Sequence, residues 1–102
     1  MYLIQMLLPV RDNEGNAFPR AELDRVRQEL TERFGGATAY LRAPAAGLWK
    51  DQEGDVAPDD VVIVEAMAAH LEPEWWRLYR RELEARFRQE EILIRALQCT
   101  TL

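Results

Sequence analysis

The sequence lacks several residue types on which common enzyme chemistries depend. It contains no serine and only one cysteine (Cys99), one histidine (His70) and one lysine (Lys50). Serine nucleophiles, an intrachain disulfide and a metal site built from several thiolates or histidines are therefore excluded. No P-loop, GxGxxG, HExxH, CxxC or GxSxG motif is present. We expect no metal and no organic cofactor.

Basic residues are also fewer than acidic residues, 13 against 18. The formal net charge is −5, which argues against general binding to nucleic acids or anionic membranes, because both depend on a basic surface. Residues 1–10 are apolar, but they lack a basic leader and fall well short of the about 20 residues that span a bilayer. We predict a soluble, cytoplasmic protein with neither nucleic acid nor membrane as a partner.

Length and composition are typical of a globular chain. Its 102 residues are 48% hydrophobic and 30% charged, without a low-complexity tract or a break that would mark a linker. We predict a single domain over residues 1–102. A chain this short buries a modest share of its surface, so self-association would add useful burial.

Hydrophobic patterning predicts six elements. A β-branched run beginning at Val61 is typical of a central strand, and apolar residues at helical spacing precede Gly35, a natural left-handed helix cap. Pro19 and Pro73 suit the first positions of two helices. The predicted strands cover residues 2–8, 37–42, 61–67 (extending to 69) and 92–99, and the predicted helices cover 19–34 and 73–89.

The order strand, helix, strand, strand, helix, strand predicts an α+β domain. Two split βαβ units in this order give a ferredoxin-like βαββαβ arrangement. It has a four-stranded antiparallel sheet in the order 4-1-3-2, with two helices on one face. Residues 43–60 form a long loop, a feature that is often functional in a compact domain.

In each of three predicted strands, the residues that point to one face are apolar except for a single polar residue. Side chains alternate between the faces of a strand, and the polar residues are Gln5, Glu65 and Arg95. We assign the opposite sets to the helix side. Since strand one is predicted to lie between strands three and four, Gln5 should lie between Glu65 and Arg95, in a polar row across an otherwise apolar face.

Two explanations for this face remain open. Large apolar patches usually mark interfaces or binding grooves. A homodimer could pack sheet against sheet, with Glu65 and Arg95 neutralising each other. Alternatively, a cavity between the sheets or under the long loop could bind a polar ligand with the row. Tyr40 and Trp49 are the aromatic candidates for its wall, although the commoner role of a loop aromatic such as Trp49 is to anchor the loop.

Part of the sequence resembles known proteins. The run Arg33-Phe34-Gly35-Gly36-Ala37-Thr38, then Gly47-Leu48-Trp49 and the valine-rich strand at Val61, resembles small bacterial proteins of ferredoxin-like fold, within the wider dimeric α+β-barrel group. That group includes cofactor-independent monooxygenases and isomerases. The resemblance implies the fold and a homodimer, but it carries no catalytic signature that can be placed on residues of this chain.

The leading hypothesis is a homodimeric small-molecule-binding or accessory domain. The alternative is a cofactor-independent enzyme that acts on a small organic substrate between sheet and loop. In it, Glu65 or His70 would transfer a proton and Arg95 would hold an anion. His70 lies at an element boundary, where a structural hydrogen bond is the commoner role. A third hypothesis is a module that binds a different protein through the open face.

Overall fold

The computed structural model describes residues 1–35, 38–42 and 61–102, and only the backbone of residues 38–42. Its elements follow the predicted order. They are β1 (Tyr2–Pro9), α1 (Arg20–Phe34), β2 (Thr38–Arg42), β3 (Val61–Ala68), α2 (Pro73–Arg86) and β4 (Ile94–Gln98). No helix within these ranges has the length and apolar character that a membrane span requires.

The four strands form one antiparallel sheet in the order β2-β3-β1-β4. β1 pairs with β3 over its whole length, from Tyr2 opposite Ala68 to Pro9 opposite Val61. Its other edge pairs with β4, and β2 pairs with the free edge of β3. The prediction of an α+β domain with two helices and an antiparallel sheet is therefore confirmed.

The helix ends differ from the predictions in detail. Pro19 is the residue before α1 and not its first residue, whereas Gly35 is the predicted left-handed cap, with φ 82° and its N–H bonded to the Thr31 carbonyl at 2.8 Å. The second helix ends at Arg86, three residues earlier than predicted. Arg88 has a φ of 50°, which a continuing helix does not allow.

β4 is also shorter than predicted. It begins at Ile94 rather than at residue 92, because the backbone N–H of Ile92 donates to the Glu84 carboxylate at 3.0 Å. This hydrogen bond fixes the segment after α2 outside the regular strand pairing. Ile92 itself is 2% exposed and belongs to the core.

One core cluster joins both helices to one face of the sheet. Alternate residues of β1 are buried, as the period-two pattern predicts, whereas β3 also buries Ile63 of the opposite face. The apolar residues on one side of α1 and of α2 pack into the same cluster. Its members are Ile4, Met6, Leu8, Val26, Leu30, Val62, Val64, Ala68, Trp76, Tyr79, Leu83, Phe87 and Ile92.

The assignment of strand faces needs a correction at β4. We expected the set opposite Arg95 to be covered by the helices. Ile94 is half-buried, but Ala96 and Gln98 are exposed. The far half of β4 therefore extends beyond the area that the helices cover.

A polar cluster links the two helices. Arg86 donates to both carboxylate oxygens of Glu29, at 2.7 and 2.6 Å, and the Tyr79 hydroxyl donates to Glu29 at 3.0 Å. The Arg86 side chain is only 9% exposed. The hydrogen bond from Arg86 lowers the pKa of Glu29 from its ordinary value, and burial raises the pKa of the Tyr79 hydroxyl.

Candidate functional site

Three polar side chains form a continuous row across the sheet face that the helices do not cover. Gln5 lies directly opposite Glu65 on β3 and opposite Arg95 on β4. Directly opposed residues in antiparallel strands point to the same face and are close enough to interact. The placement of Gln5 between Glu65 and Arg95 agrees with the pattern of alternation in the sequence.

Hydrogen bonds connect the row from end to end. The Gln5 amide Nε2 donates to Glu65 Oε2 at 2.6 Å, and Arg95 Nε donates to Gln5 Oε1 at 2.7 Å. The Gln5 amide donates to the carboxylate and accepts from the guanidinium. It therefore connects Glu65 to Arg95 through two hydrogen bonds. The row thus carries opposite charges at its ends and is neutral as a whole.

Apolar side chains flank the row on both sides. We call this surface the open face. Leu3 pairs with Met67 and with Leu97, while Leu7 pairs with Ile63. Met67, Leu93 and Leu97 are 36%, 49% and 44% exposed, whereas Ile63 is only 7% exposed. Its residues are Leu3, Gln5, Leu7, Val61, Ile63, Glu65, Met67, Leu93, Arg95 and Leu97.

The row keeps hydrogen-bonding capacity for another molecule. Glu65 uses one carboxylate oxygen and Arg95 uses its Nε, whereas Glu65 Oε1 and the two terminal nitrogens of Arg95 bond to no other described residue. A carboxylate accepts several hydrogen bonds, and a guanidinium presents five N–H donors. The Glu65 end can therefore take a donor or a cation, and the Arg95 end can take an acceptor or an anion.

The other predicted site residues are placed less directly. The backbone of Tyr40 pairs with Ile63, and that of Thr38 pairs with Glu65, so β2 lies beside the Glu65 end of the row. Trp49 and the 43–60 loop lie outside the described residues.

His70 is not part of the row. It is exposed and lies beyond Ala68, the last residue of β3. At about 3.3 Å per strand residue, the three steps from Glu65 to Ala68 already cover about 10 Å. Among the described residues, no group of three or more histidine, cysteine, aspartate or glutamate side chains is arranged to hold a metal ion.

The interhelical cluster was not predicted. The second helix is rich in arginine, and the Arg86 side chain is nearly buried against Glu29. The sequence distances from Arg86 to apolar residues of the same helix could have predicted its burial. Arg86 follows Leu83 by three residues and Tyr79 by seven, which places it on the buried stripe.

Comparison with known proteins supports the fold. No protein-family model matches the chain, and no curated protein does. Among solved structures, a phage SAM lyase in complex with S-methyl-5′-thioadenosine is similar, with a TM-score of 0.58 at 11% sequence identity. The match covers 95% of this chain and 80% of the lyase chain. At this identity the likeness shows the α+β fold alone.

Proposed function

We propose that the chain is a homodimeric small-molecule-binding domain in which two copies face each other through their open faces. The observation that carries the proposal is the hydrogen-bonded row Glu65, Gln5 and Arg95 within an apolar surface that is exposed at Met67, Leu93 and Leu97. Exposed apolar surface of this kind on a small domain usually marks an interface. The element order and the strand order β2-β3-β1-β4 support a ferredoxin-like arrangement, which leaves one face of the sheet free for this purpose.

The charges of the row favour a second copy of the same chain as the partner. A two-fold interface brings the same patch together from both subunits, so the patch must complement itself. A two-fold axis running along the strands reverses the row, so that Glu65 lies opposite Arg95 of the partner subunit. An axis running across the strands would place like charges opposite each other, which is unfavourable.

Charge reversal at the row tests the dimer. We expect the unmodified chain to be a dimer by size-exclusion chromatography with light scattering at micromolar concentration. Arg95→Glu should shift it to monomer, because two carboxylates would then meet at each end of the row. Arg81→Glu is the matched control, since Arg81 is an exposed residue of α2. The double change Glu65→Arg with Arg95→Glu should restore the dimer.

Two results would contradict the dimer proposal. One is a wild-type chain that stays monomeric throughout the concentration series. The other is an Arg95→Glu variant that remains as dimeric as Arg81→Glu, because the row would then lie outside the interface. Circular dichroism of each variant separates loss of association from loss of folding.

The small-molecule part of the proposal rests on what the dimer would enclose. Two facing open faces bound an apolar space crossed by two polar rows, a combination typical of small-molecule sites. S-methyl-5′-thioadenosine, the ligand of the structurally similar SAM lyase, is a suitable first probe. Calorimetric titration should show binding to the wild-type chain that Arg95→Glu abolishes and Arg81→Glu leaves intact.

A second candidate function is a cofactor-independent enzyme. The half-buried Glu65 carboxylate has an oxygen without a partner among the described residues, and Arg95 two strands away can hold an anionic group. Glu65 would accept a proton from the substrate and Arg95 would neutralise the resulting charge. On any substrate found by screening, Glu65→Gln should abolish turnover. Full activity of His70→Gln would remove His70 from the mechanism.

A further inference from the structure

A cleft opens at the end of the sheet where β1 ends and β3 begins. Its volume is about 550 Å³, within the range of roughly 300–1,000 Å³ that small-molecule sites occupy. One bank is the segment between β1 and α1, and the other is the segment between α2 and β4. The cleft contains none of the three residues of the row, although two of its lining residues, Leu7 and Val61, also belong to the open face. It therefore lies at the edge of the open face and presents its own charged groups.

The floor of the cleft is apolar and held in place. Leu7, Pro9, Val61 and Ile92 line it. The Leu7 N–H donates to the Leu93 carbonyl at 3.0 Å, and Ile92 is fixed by its hydrogen bond to Glu84. These hydrogen bonds fix the backbone of the floor within the protein, and a rigid floor lowers the entropic cost of binding.

The first bank is shaped by Asp12, which is fully engaged within the protein. Its Oδ1 accepts from the backbone N–H groups of Glu14 and Asn16 at 2.9 and 2.8 Å, and its Oδ2 pairs with Arg88 at 3.3 Å. The hydrogen bond from the Asn16 amide lowers the pKa of Asp12 from its ordinary value. Asp12 therefore organises the loop and leaves ligand contacts to its neighbours.

Each bank carries one charged side chain that forms few or no contacts with other described residues, and the two charges have opposite signs. Arg11 makes a single long contact, from Nη1 to the Gly15 carbonyl at 3.4 Å. On the opposite bank, the Glu91 carboxylate forms no hydrogen bond or ion pair with any other described residue. Gln89 donates to the Phe87 carbonyl at 3.0 Å, which leaves its amide oxygen as an acceptor.

We infer that this cleft binds a small zwitterion with an apolar body, of the free amino acid or dipeptide class. The ligand carboxylate bonds to Arg11, its ammonium group bonds to Glu91 and the Gln89 amide oxygen, and its side chain packs on the floor. A purely anionic ligand would face Glu91 without compensation, and a purely cationic one would face Arg11. The inference does not depend on dimerisation.

Chemical-shift mapping on the ¹⁵N-labelled full chain tests this assignment. The probes are L-phenylalanine and the dipeptide L-alanyl-L-phenylalanine, together with two analogues of phenylalanine that each lack one charge, phenethylamine and 3-phenylpropanoate. We expect at least one zwitterion at millimolar concentration to shift the amide signals of Leu7, Val61 and Ile92. Each singly charged analogue should bind about threefold to fivefold more weakly than phenylalanine, as expected for one exposed charge contact.

Two variants assign the charges to the banks. Glu91→Gln should weaken phenylalanine and phenethylamine but not 3-phenylpropanoate, whereas Arg11→Gln should weaken phenylalanine and 3-phenylpropanoate but not phenethylamine. Glu90→Gln and Arg20→Gln, at exposed residues outside the cleft lining, are the controls. The spectra themselves report whether each variant is folded.

Three outcomes would overturn the inference. They are the absence of shifts at the floor with both zwitterions, singly charged analogues that bind as tightly as phenylalanine, and variants that behave like their controls. Light scattering of the same samples reports the oligomeric state independently. A monomer that binds phenylalanine at the cleft would therefore reject the dimer proposal and keep this one.

Discussion

Replacing Glu29 with glutamine should measurably destabilise the fold, because Glu29 is the centre of the contact between α1 and α2. The carboxylate accepts two hydrogen bonds from Arg86 and one from Tyr79. Glu29→Gln keeps the shape but removes the charge and turns one acceptor into a donor facing the guanidinium. Among the described residues, Glu82, at 3.0 Å, would then be the only carboxylate that still pairs with Arg86.

The expected cost is about 2 kcal/mol. A charge-assisted hydrogen bond contributes about 1.5–3 kcal/mol, and leaving a buried charge without its partner can cost about 3–5 kcal/mol. The Glu29 side chain is 33% exposed, so solvent screening reduces the loss toward the lower end of these ranges. With a urea m-value of about 1.5 kcal/mol/M, the unfolding midpoint should fall by about 1.3 M.

The pH dependence gives an independent check. Arg86 lowers the folded-state pKa of Glu29 below its ordinary value of 4.5. The stabilisation is therefore fully present above the unfolded-state pKa and is lost as the pH falls through the folded-state pKa. Urea unfolding followed by circular dichroism should show the full difference between wild type and Glu29→Gln at pH 7, and a shrinking difference as the pH falls below 4.5.

The control is Glu32→Gln, at an exposed residue of the same helix, which should change stability by less than about 0.5 kcal/mol. Equal midpoints for Glu29→Gln and Glu32→Gln would refute the reasoning. So would a difference between wild type and Glu29→Gln that stays constant into acid pH.

Two further changes test the helix end and the core. Gly35→Ala should cost about 1 kcal/mol of stability through backbone strain, because Gly35 has φ 82° and a Cβ added there would meet no heavy atom within 4 Å. Gly35→Asn should cost less. Equal urea midpoints for the wild type and both variants would contradict this prediction. Leu83→Ala should cost about 3 kcal/mol in thermal unfolding, because Leu83 is fully buried. Leu78→Ala, at a residue 55% exposed, should have little effect, and equal losses at both positions would place Leu83 outside the core.

The open face was largely predictable from the sequence because strand alternation is a local rule. Once β1 and β3 are strands, their side chains must point alternately to two faces. The apolar sets therefore identified the buried residues on the helix side of these strands, but not Ile63, which is buried although it lies on the open face. The same alternation placed Gln5, Glu65 and Arg95 on one face. Their hydrogen bonds follow from the register, which pairs Gln5 with both of the others.

The sequence alone determined the order of the elements, the left-handed cap at Gly35 and the face on which each β1 and β3 residue lies, since periodicity and backbone preference act over a few neighbouring residues. The tertiary structure decided how far the helices reach over the sheet. It left Ala96 and Gln98 exposed and buried Arg86 against Glu29. It also brought Arg11 and Glu91, 80 positions apart in the chain, to the two banks of one cleft. These outcomes depend on packing between distant segments, which no local pattern encodes.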